Sequence, residues 1–514
     1  MEVILDKALA VKAQPFIDTA VEQRFASQLF AQDATLWGPE AEAESRVRLG
    51  WVVDPTRWSG LIAEVTTLRD ALRESGVTTV ILCGMGGSSL APEVMAKHDR
   101  VRLYIVDSTH PNQLAPLVTG DLSSSVVVVS SKSGGTLETD SQRRIFEQAF
   151  RSQGIDPQSR IIVVTDPQSP LHVESQKSGF RVFLGDATIG GRFSALSPFG
   201  LVPAVLAGVN VAEIVEHASA IHGTLSLDSP ENPGLVLGAG MAAGFPATDK
   251  ILLQPLPGLP GFGDWIEQLV AESTGKQGVG LLPVVESALT HIPDGVTVGA
   301  TAEAEIVLRA SLGEQLLLWE VATAFACHIL GVNPFDQPNV ESAKIAAKAL
   351  LDEPARTPRE ETMVEGFTVW SSLPLSPEVN TLAQLVHQWR SLFEEHSYGA
   401  VCVFGNQALW GPWNQAVLAL EESLNRPITL GFGPRFLHST GQLHKGGTSE
   451  GVFLQVIQTP DSVIDIPGRD FDLGTLMLAQ AHGDAQVLAD AGVPVISVTA
   501  TTEQLPALWE ALEA

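Results

Sequence analysis

The chain has 514 residues, 45% of them hydrophobic, and a formal net charge of −28. That length is too great for one ordinary core, so two or more domains are expected. No apolar run approaches a membrane span and no charged-then-apolar leader opens the chain, while the charge repels nucleic acid and anionic membranes.

The expectation from these features is a soluble, cytoplasmic protein. A phosphorylated ligand would also be repelled overall, so any site for one needs local donors and cations. Cys83, Cys327 and Cys402 are odd in number and far apart. They suit a reducing compartment and lack metal-type spacing.

Residues 1–65 read as a helical N-terminal segment, with Trp37, Trp51 and Trp58 as packing anchors. Four short apolar, β-branched runs follow: VTTVILC (77–83), VRLYIV (101–106), SVVVVS (125–130) and RIIVVT (160–165), with helical stretches between them. Buried parallel strands read this way, so residues 66–215 are expected to form one doubly wound domain. KILLQPL (250–256) and VTVGAT (296–301) begin a second set of strands, and a long apolar helix is expected near 314–330. Residues 352–380 are rich in Pro, Glu and Thr and read as a linker. AVCVFG (400–405), PITLGFG (427–433), GVFLQVI (451–457) and PVISVTA (494–500) are further strand candidates. The expectation is a second α/β domain over 216–514, completed by the C-terminal third.

Six segments stand out chemically. The first strand runs into GMGGSS (84–89) and a helix; glycines allow a tight turn, and a helix N-terminus offers free N–H groups to an anion. The spacing nearly matches a dinucleotide fingerprint, with Ser89 in place of the third glycine and Asp107 where a ribose-binding acid would stand. An ordinary strand-to-helix turn is the plain alternative. SKSGGTLET follows the SVVVVS strand and supplies Ser131, Lys132, Ser133, Gly134, Gly135, Thr136 and Thr139. Hydroxyls and backbone N–H groups before a helix wrap a phosphate well; a solvated, capped turn is the alternative. In GGRFSALS (190–197), Arg192 beside two glycines can act as a fixed positive charge or stand as a surface arginine. ESTGKQG (272–278) only superficially resembles a nucleotide P-loop, because the first glycine of that motif would fall on Val270 and the hydroxyl position holds Gln277. Glu272 closes an apolar helix, where the dipole disfavours the charged form, which suits a general base or describes a plain exposed glutamate. FDQPNVESAK (335–344) reads as a helix start capped by Asp336, with Gln337 and Lys344 on about one face; a surface ion pair of Lys344 with Glu341 is the alternative. GPRFLHSTGQLHKGG (433–447) holds His438 and His444 without zinc spacing. An acid/base role fits His438, and His444 reads as a histidine without a role.

Together these segments resemble the glucose-6-phosphate isomerase family. GMGGSS is similar to its GxGGS loop, SKSGGTLET to its SKT-x-x-T-x-ET phosphate loop, and GGRFS to its GGR-x-S segment. QLVAESTGK (268–276), DQPNVESAK and LHSTGQLHKGG resemble its glutamate, Gln/Lys and histidine motifs. The similarity covers roughly residues 75–450 and is closest to the isomerase half of transaldolase/glucose-6-phosphate isomerase fusions. It implies an α/β protein of two SIS-type three-layer αβα domains with mainly parallel sheets. It also implies interconversion of glucose 6-phosphate and fructose 6-phosphate without metal or other cofactor. By resemblance Glu272 moves the proton between C1 and C2, His438 with Lys344 opens the ring, and Arg192 stabilises developing negative charge. Ser131, Lys132, Ser133 and Thr136 hold the phosphate, and Gly87, Ser88, Gly191, Gln268 and Gln337 position the rest. Another SIS-domain sugar-phosphate isomerase, or a sugar-phosphate sensor without catalysis, are the alternatives. One departure is plain: the histidine motif here follows both the glutamate and Gln/Lys motifs, whereas it usually lies between them. The connectivity of the second domain is therefore expected to differ. The family's usual dimer takes this histidine from the neighbouring subunit; here a monomer or a homodimer remains open.

Overall fold

The computed structural model describes residues 1–352 and 360–514, without the side chains of 341, 343, 344 and 352. The fold is α/β. Sixteen strands among the described residues fall into three mainly parallel sheets. In chain order the strands are β1 (Glu2–Leu5), β2 (Thr79–Gly84), β3 (Tyr104–Val106), β4 (Ser125–Ser130), β5 (Ile161–Thr165), β6 (Arg181–Leu184), β7 (Lys250–Leu253), β8 (Leu282–Val285), β9 (Gly295–Gly299), β10 (Ile306–Arg309), β11 (Thr362–Val364), β12 (Phe367–Ser371), β13 (Tyr398–Phe404), β14 (Ile428–Phe432), β15 (Gly451–Gln458) and β16 (Val495–Ala500).

The first sheet is all parallel in the order β3-β2-β4-β5-β6. Its chain path reverses between β2 and β4, so the loops leaving these neighbours part to opposite faces. A crevice at the carboxyl ends of the strands follows from that reversal. Both the glycine loop after β2 and the Ser/Thr loop after β4 open into it.

The sequence suggests one further sheet completed by the C-terminal third; the structure has two. The second sheet runs β1-β10-β9-β7-β8 and the third β11-β12-β16-β15-β13-β14. The C-terminal strands pair with one another rather than with β7–β10. The free edge at β10 is closed instead by β1, antiparallel to it, so residues 2–5 depart from the expected helical segment. The linker-like stretch 352–380 also departs in part. Residues 353–359 lie outside the described residues, but β11 and β12 form an antiparallel pair that joins β16. Their pattern explains why: Val364, Phe367 and Val369 bury themselves in the core of the third sheet, a short alternation that the surrounding Pro and Glu obscure.

The three units are packed into one body. A large core joins the first and second sheets through the helices Pro198–Ala207, Pro233–Ala242 and Leu312–Leu330. The helix Leu473–Asp490 then ties the third unit to both others. Its Leu473 and Leu476 enter the core behind the first sheet. Its Met477, Ala481 and Leu488 enter the core shared by the second and third sheets. No helix among the described residues is long and apolar enough to cross a membrane.

His110 is a second tie between the first and third units. It is fully buried; its Nδ1 accepts from the Asn112 N–H at 3.2 Å, and its Nε2–H donates to the Gln458 carbonyl at the end of β15, 3.1 Å away. The first bond needs the neutral ring, because a protonated Nδ1 cannot accept, while the second survives protonation. Burial pushes its pKa down to about 4, against the opposing pull of Gln458 and Asp461. The unfolded chain therefore takes the proton first as pH falls. The contribution of this residue is present above pH 6.5 and is lost toward about 4, by up to about 3 kcal/mol. Urea unfolding of the parent and of His110→Asn across this range should show a shallower loss of stability with acid in the variant.

Candidate functional site

The crevice of the first sheet is closed over by the other two units into a cleft of about 310 Å³. Its floor is the glycine loop. Gly86 takes φ +54°, and a Cβ there would lie 2.6 Å from Gln268 Nε2 and 2.7 Å from the His438 carbonyl oxygen. A Cβ at Gly87 would overlap the Gly191 carbonyl. These two positions are glycine because three backbone segments from different parts of the chain meet there.

On one wall stands the Ser/Thr loop. Ser133 and Thr136 face the cleft. Ser131 is buried beneath them and donates to Thr136 Oγ1 at 3.2 Å. Thr136 precedes the helix Leu137–Ser152, so the loop ends on a helix N-terminus. The Lys132 ammonium is turned away from the loop and ion-paired with Asp166, which leaves the Lys132 main chain, rather than its charge, as the part available to a bound anion.

The opposite wall is the helix Phe262–Thr274. Glu272 lies in its last turn, one turn beyond Gln268. Glu272 Oε1 is 3.0 Å from Arg192 Nη1, and Glu272 Oε2 accepts from Gln268 Nε2 at 3.2 Å. Arg192 is 4% exposed and fully engaged. It donates to Ser273 Oγ at 3.0 Å, to Gln337 Oε1 at 2.9 Å, and to the carbonyls of Pro334 and Asp336 at 3.0 and 2.8 Å. A charge this buried is stable only when its donors are satisfied, so the guanidinium is a rigid positive centre. Lys276 supports the same loop, donating to the Asn333 and Asp336 carbonyls at 2.6 and 2.7 Å. Burial, reinforced by Arg192, moves its pKa downward.

His438 arrives from the third unit on a 3-10 turn, Arg435–His438, after β14. Its carbonyl accepts from Gln268 Nε2 at 2.7 Å and its Nε2 is 2.9 Å from Glu138 Oε1. Although its motif comes last along the chain, the histidine turn meets the glycine loop and the helix that carries Glu272.

The cleft gathers Gly87, Ser88, Lys132, Ser133, Thr136, Gly191, Arg192, Gln268, Glu272, Gln337 and His438. Ser131 supports it from below. Lys344 belongs to the helix Pro338–Asp352, but its side chain lies outside the described residues. His444 is buried among the rings of Tyr398, Phe436 and Phe453, and burial holds its pKa well down, so it is a neutral core residue. The dinucleotide alternative loses its acid, because Asp107 is buried with Arg435 Nη1 at 3.1 Å. Among the described residues no His, Cys, Asp and Glu side chains cluster in a way that would hold a metal ion.

Sequence reasoning missed four contributors. Glu138 sits inside SKSGGTLET, where attention to hydroxyls passed over its carboxylate. Gln480, which donates to Glu138 Oε1 at 2.7 Å, carries no sequence signal. Arg48 and Glu44 line the cleft from the N-terminal segment, paired with each other at 2.7 Å.

No family model matches the chain. It is similar to the glucose-6-phosphate isomerase of Acaryochloris marina, 34% identical over 215 residues, which are 39% of this chain and 40% of that one. It is also similar to the probable glucose-6-phosphate isomerase of Haloquadratum walsbyi, 29% identical over 43% of this chain and 53% of that one. The match to the probable glucose-6-phosphate isomerase of Haloarcula marismortui is 26% identical and longer, covering 68% of this chain and 94% of that one. The chain therefore spans about half the length of the first two relatives and nearly all of the third. A crystal structure of a glucose-6-phosphate isomerase from Chlamydia trachomatis shares the fold, with a TM-score of 0.53 at 21% identity over 69% of this chain and 88% of that one.

The glycine contacts make a direct prediction. Gly87→Ala places a methyl group against the Gly191 backbone, which cannot move as a flexible side chain would. Overpacking of this kind costs about 1–3 kcal/mol. Thermal unfolding should show that loss, and any activity of the cleft should fall further than stability does, because both loops line it.

Proposed function

We propose that this chain, a member of the glucose-6-phosphate isomerase family, interconverts glucose 6-phosphate and fructose 6-phosphate in the cleft between Glu272, Arg192 and His438. The observation that carries this reading is the buried Glu272–Arg192 pair, 3.0 Å apart, facing a hydroxyl-rich loop at a helix N-terminus. A proton α to a carbonyl is weakly acidic, so its removal needs a placed base and a placed positive charge for the enediolate oxygen. Glu272 is the base and Arg192 the charge. Gln268 orients the carboxylate while tying it to the histidine turn. His438, backed by Glu138, handles the ring-opening proton with Lys344 as its partner in the resemblance. Ser131, Ser133, Thr136 and the Lys132 main chain take the phosphate, and Gly87, Ser88, Gly191 and Gln337 line the sugar. A sensor of sugar phosphates would need the loop but neither the base nor its buried arginine.

The same arrangement supports a site built by a single chain, since the His438 carbonyl already meets Gln268 of its own chain. The third unit, rather than a neighbouring subunit, supplies the histidine.

Three measurements test this. Glu272→Gln should stay folded and bind substrate, yet exchange the C2 proton with solvent about 10²- to 10⁴-fold more slowly; exchange at the parental rate would remove Glu272 from the role. Replacing Ser131, Ser133 and Thr136 together with Ala should weaken substrate binding, and unphosphorylated fructose should be a very poor substrate of the parent, because remote phosphate binding drives the reaction. Finally, Glu272→Gln co-expressed with His438→Ala should remain inactive if each chain builds its own site, whereas recovered activity would mean that sites are shared across a dimer.

A further inference from the structure

Behind the cleft, at the junction of the three units, lies a second cavity of about 460 Å³ whose inner wall holds Arg435. Arg435 is the first residue of the turn that ends in His438. Its guanidinium points away from the cleft and reaches three carboxylates on three elements. Glu93 Oε2 is 2.8 Å from Nη2, Asp107 Oδ2 3.1 Å from Nη1, and Asp264 Oδ2 3.6 Å from Nη2. Glu93 belongs to the helix Leu90–His98 that leaves the glycine loop, and Asp107 directly follows β3. Asp264 opens the helix Phe262–Thr274.

The register of that last helix matters. Asp264, Gln268 and Glu272 are spaced four apart and share one face. The first meets Arg435, the second meets the His438 carbonyl, and the third meets Arg192. The turn Arg435–His438 is therefore stapled to the helix at both of its ends, and to the glycine-loop helix through Glu93. A guanidinium suits this junction because its planar fork serves several carboxylates at once. Its surroundings are acid-rich: Glu267 lines the same cavity, and Lys97 is the other cation, 2.9 Å from Glu93. Burial pushes Asp107 up to about 6 even with Arg435 opposing, and burial beside Asp264 pushes Glu267 up to about 8. Without Arg435 these carboxyls would repel one another and take up protons.

We propose that Arg435 is a positioning residue that sets the place of His438 relative to Glu272 by clamping the histidine turn to the glycine-loop helix and to the base-carrying helix at once. The proposal rests on the reading of the cleft as a sugar-phosphate isomerase site, but the clamp is testable apart from it.

The experiment compares the full-length parent with Arg435→Ala, Arg435→Lys and Asp264→Asn. A misplacement of about 1 Å can cost about 10²-fold, so Arg435→Ala should lose kcat on that order. KM should change little, since the phosphate loop belongs to the first sheet. Added guanidinium ion, admitted by the cavity, should restore much of the loss. Arg435→Lys should be intermediate, keeping the charge but not the fork. The independent readout is the ring-nitrogen NMR signal of His438 in histidine-labelled protein, assigned with His438→Gln. It should shift in Arg435→Ala and return with guanidinium. Asp264→Asn removes the charge by which the base helix holds Arg435 and guards against misfolding of the alanine variant; it should shift the same signal and lower kcat more than it raises KM. An unmoved His438 signal in folded Arg435→Ala and Asp264→Asn would overturn the proposal. So would a loss that tracks only the unfolded fraction and ignores guanidinium. A parent without isomerase activity would overturn the reading of the cleft, while the NMR shifts would still decide the clamp.

Discussion

The Arg192 guanidinium is the interaction around which the cleft is organised. It is buried, and a buried cation must have its donors satisfied. Its partners come from the end of the helix Phe262–Thr274 and from the loop 334–337, while the arginine itself stands on the loop 190–197 of the first unit. Satisfying that one group brings segments some 80 and 145 residues distant along the chain into fixed register. It also places a carboxylate and a positive charge side by side in a space that a ligand can enter.

Glycine sets the other limit on this geometry. Gly86 lies against Gln268 and the His438 carbonyl, and Gly87 against the Gly191 carbonyl, so closely that a side chain at either position would push these segments apart. Electrostatic pairing and backbone contact therefore act together. The ion pairs pull the three units inward, and the missing side chains let them come close enough for Gln268 to bridge Glu272 and His438. The acidic excess of the chain matters here as well. With a net charge of −28, a cleft that is to attract an anion needs cations and N–H groups concentrated inside it; Arg48 and Arg192 line its walls beside the main chain of the Ser/Thr loop.

The third unit brings a residue distant along the chain into the same cleft as the loops of the first sheet. β14 delivers the histidine turn from the carboxyl end of an edge strand paired only with β13, whereas the glycine loop leaves β2, a central strand flanked by β3 and β4. The strand order reverses between β13 and β15 in the third sheet, as it does between β2 and β4 in the first. The helix Leu473–Asp490 joins the units by entering the core behind the first sheet and the core shared by the other two.

Much of this was legible in the sequence. The strands β2, β4, β5, β7, β13, β14, β15 and β16 are continuous β-branched or apolar runs, which local periodicity reports directly. The loops of the cleft announced themselves by composition, since glycine, hydroxyls and a lone arginine at strand ends have few uses besides a ligand. What the sequence could not decide was pairing. β1 reads as part of a helical segment until an open edge at β10 claims it, and β11 and β12 read as linker until β16 offers a partner. Strand partners are set by distant hydrogen bonds and by which faces remain to be buried, quantities that no local window contains. The same holds for Glu138, which meets His438, and for Gln480, which meets Glu138, only because separate units close upon one another. Residue types and spacing determined what chemistry the chain can offer; the closing of the units decided which of those groups stand within reach of one another.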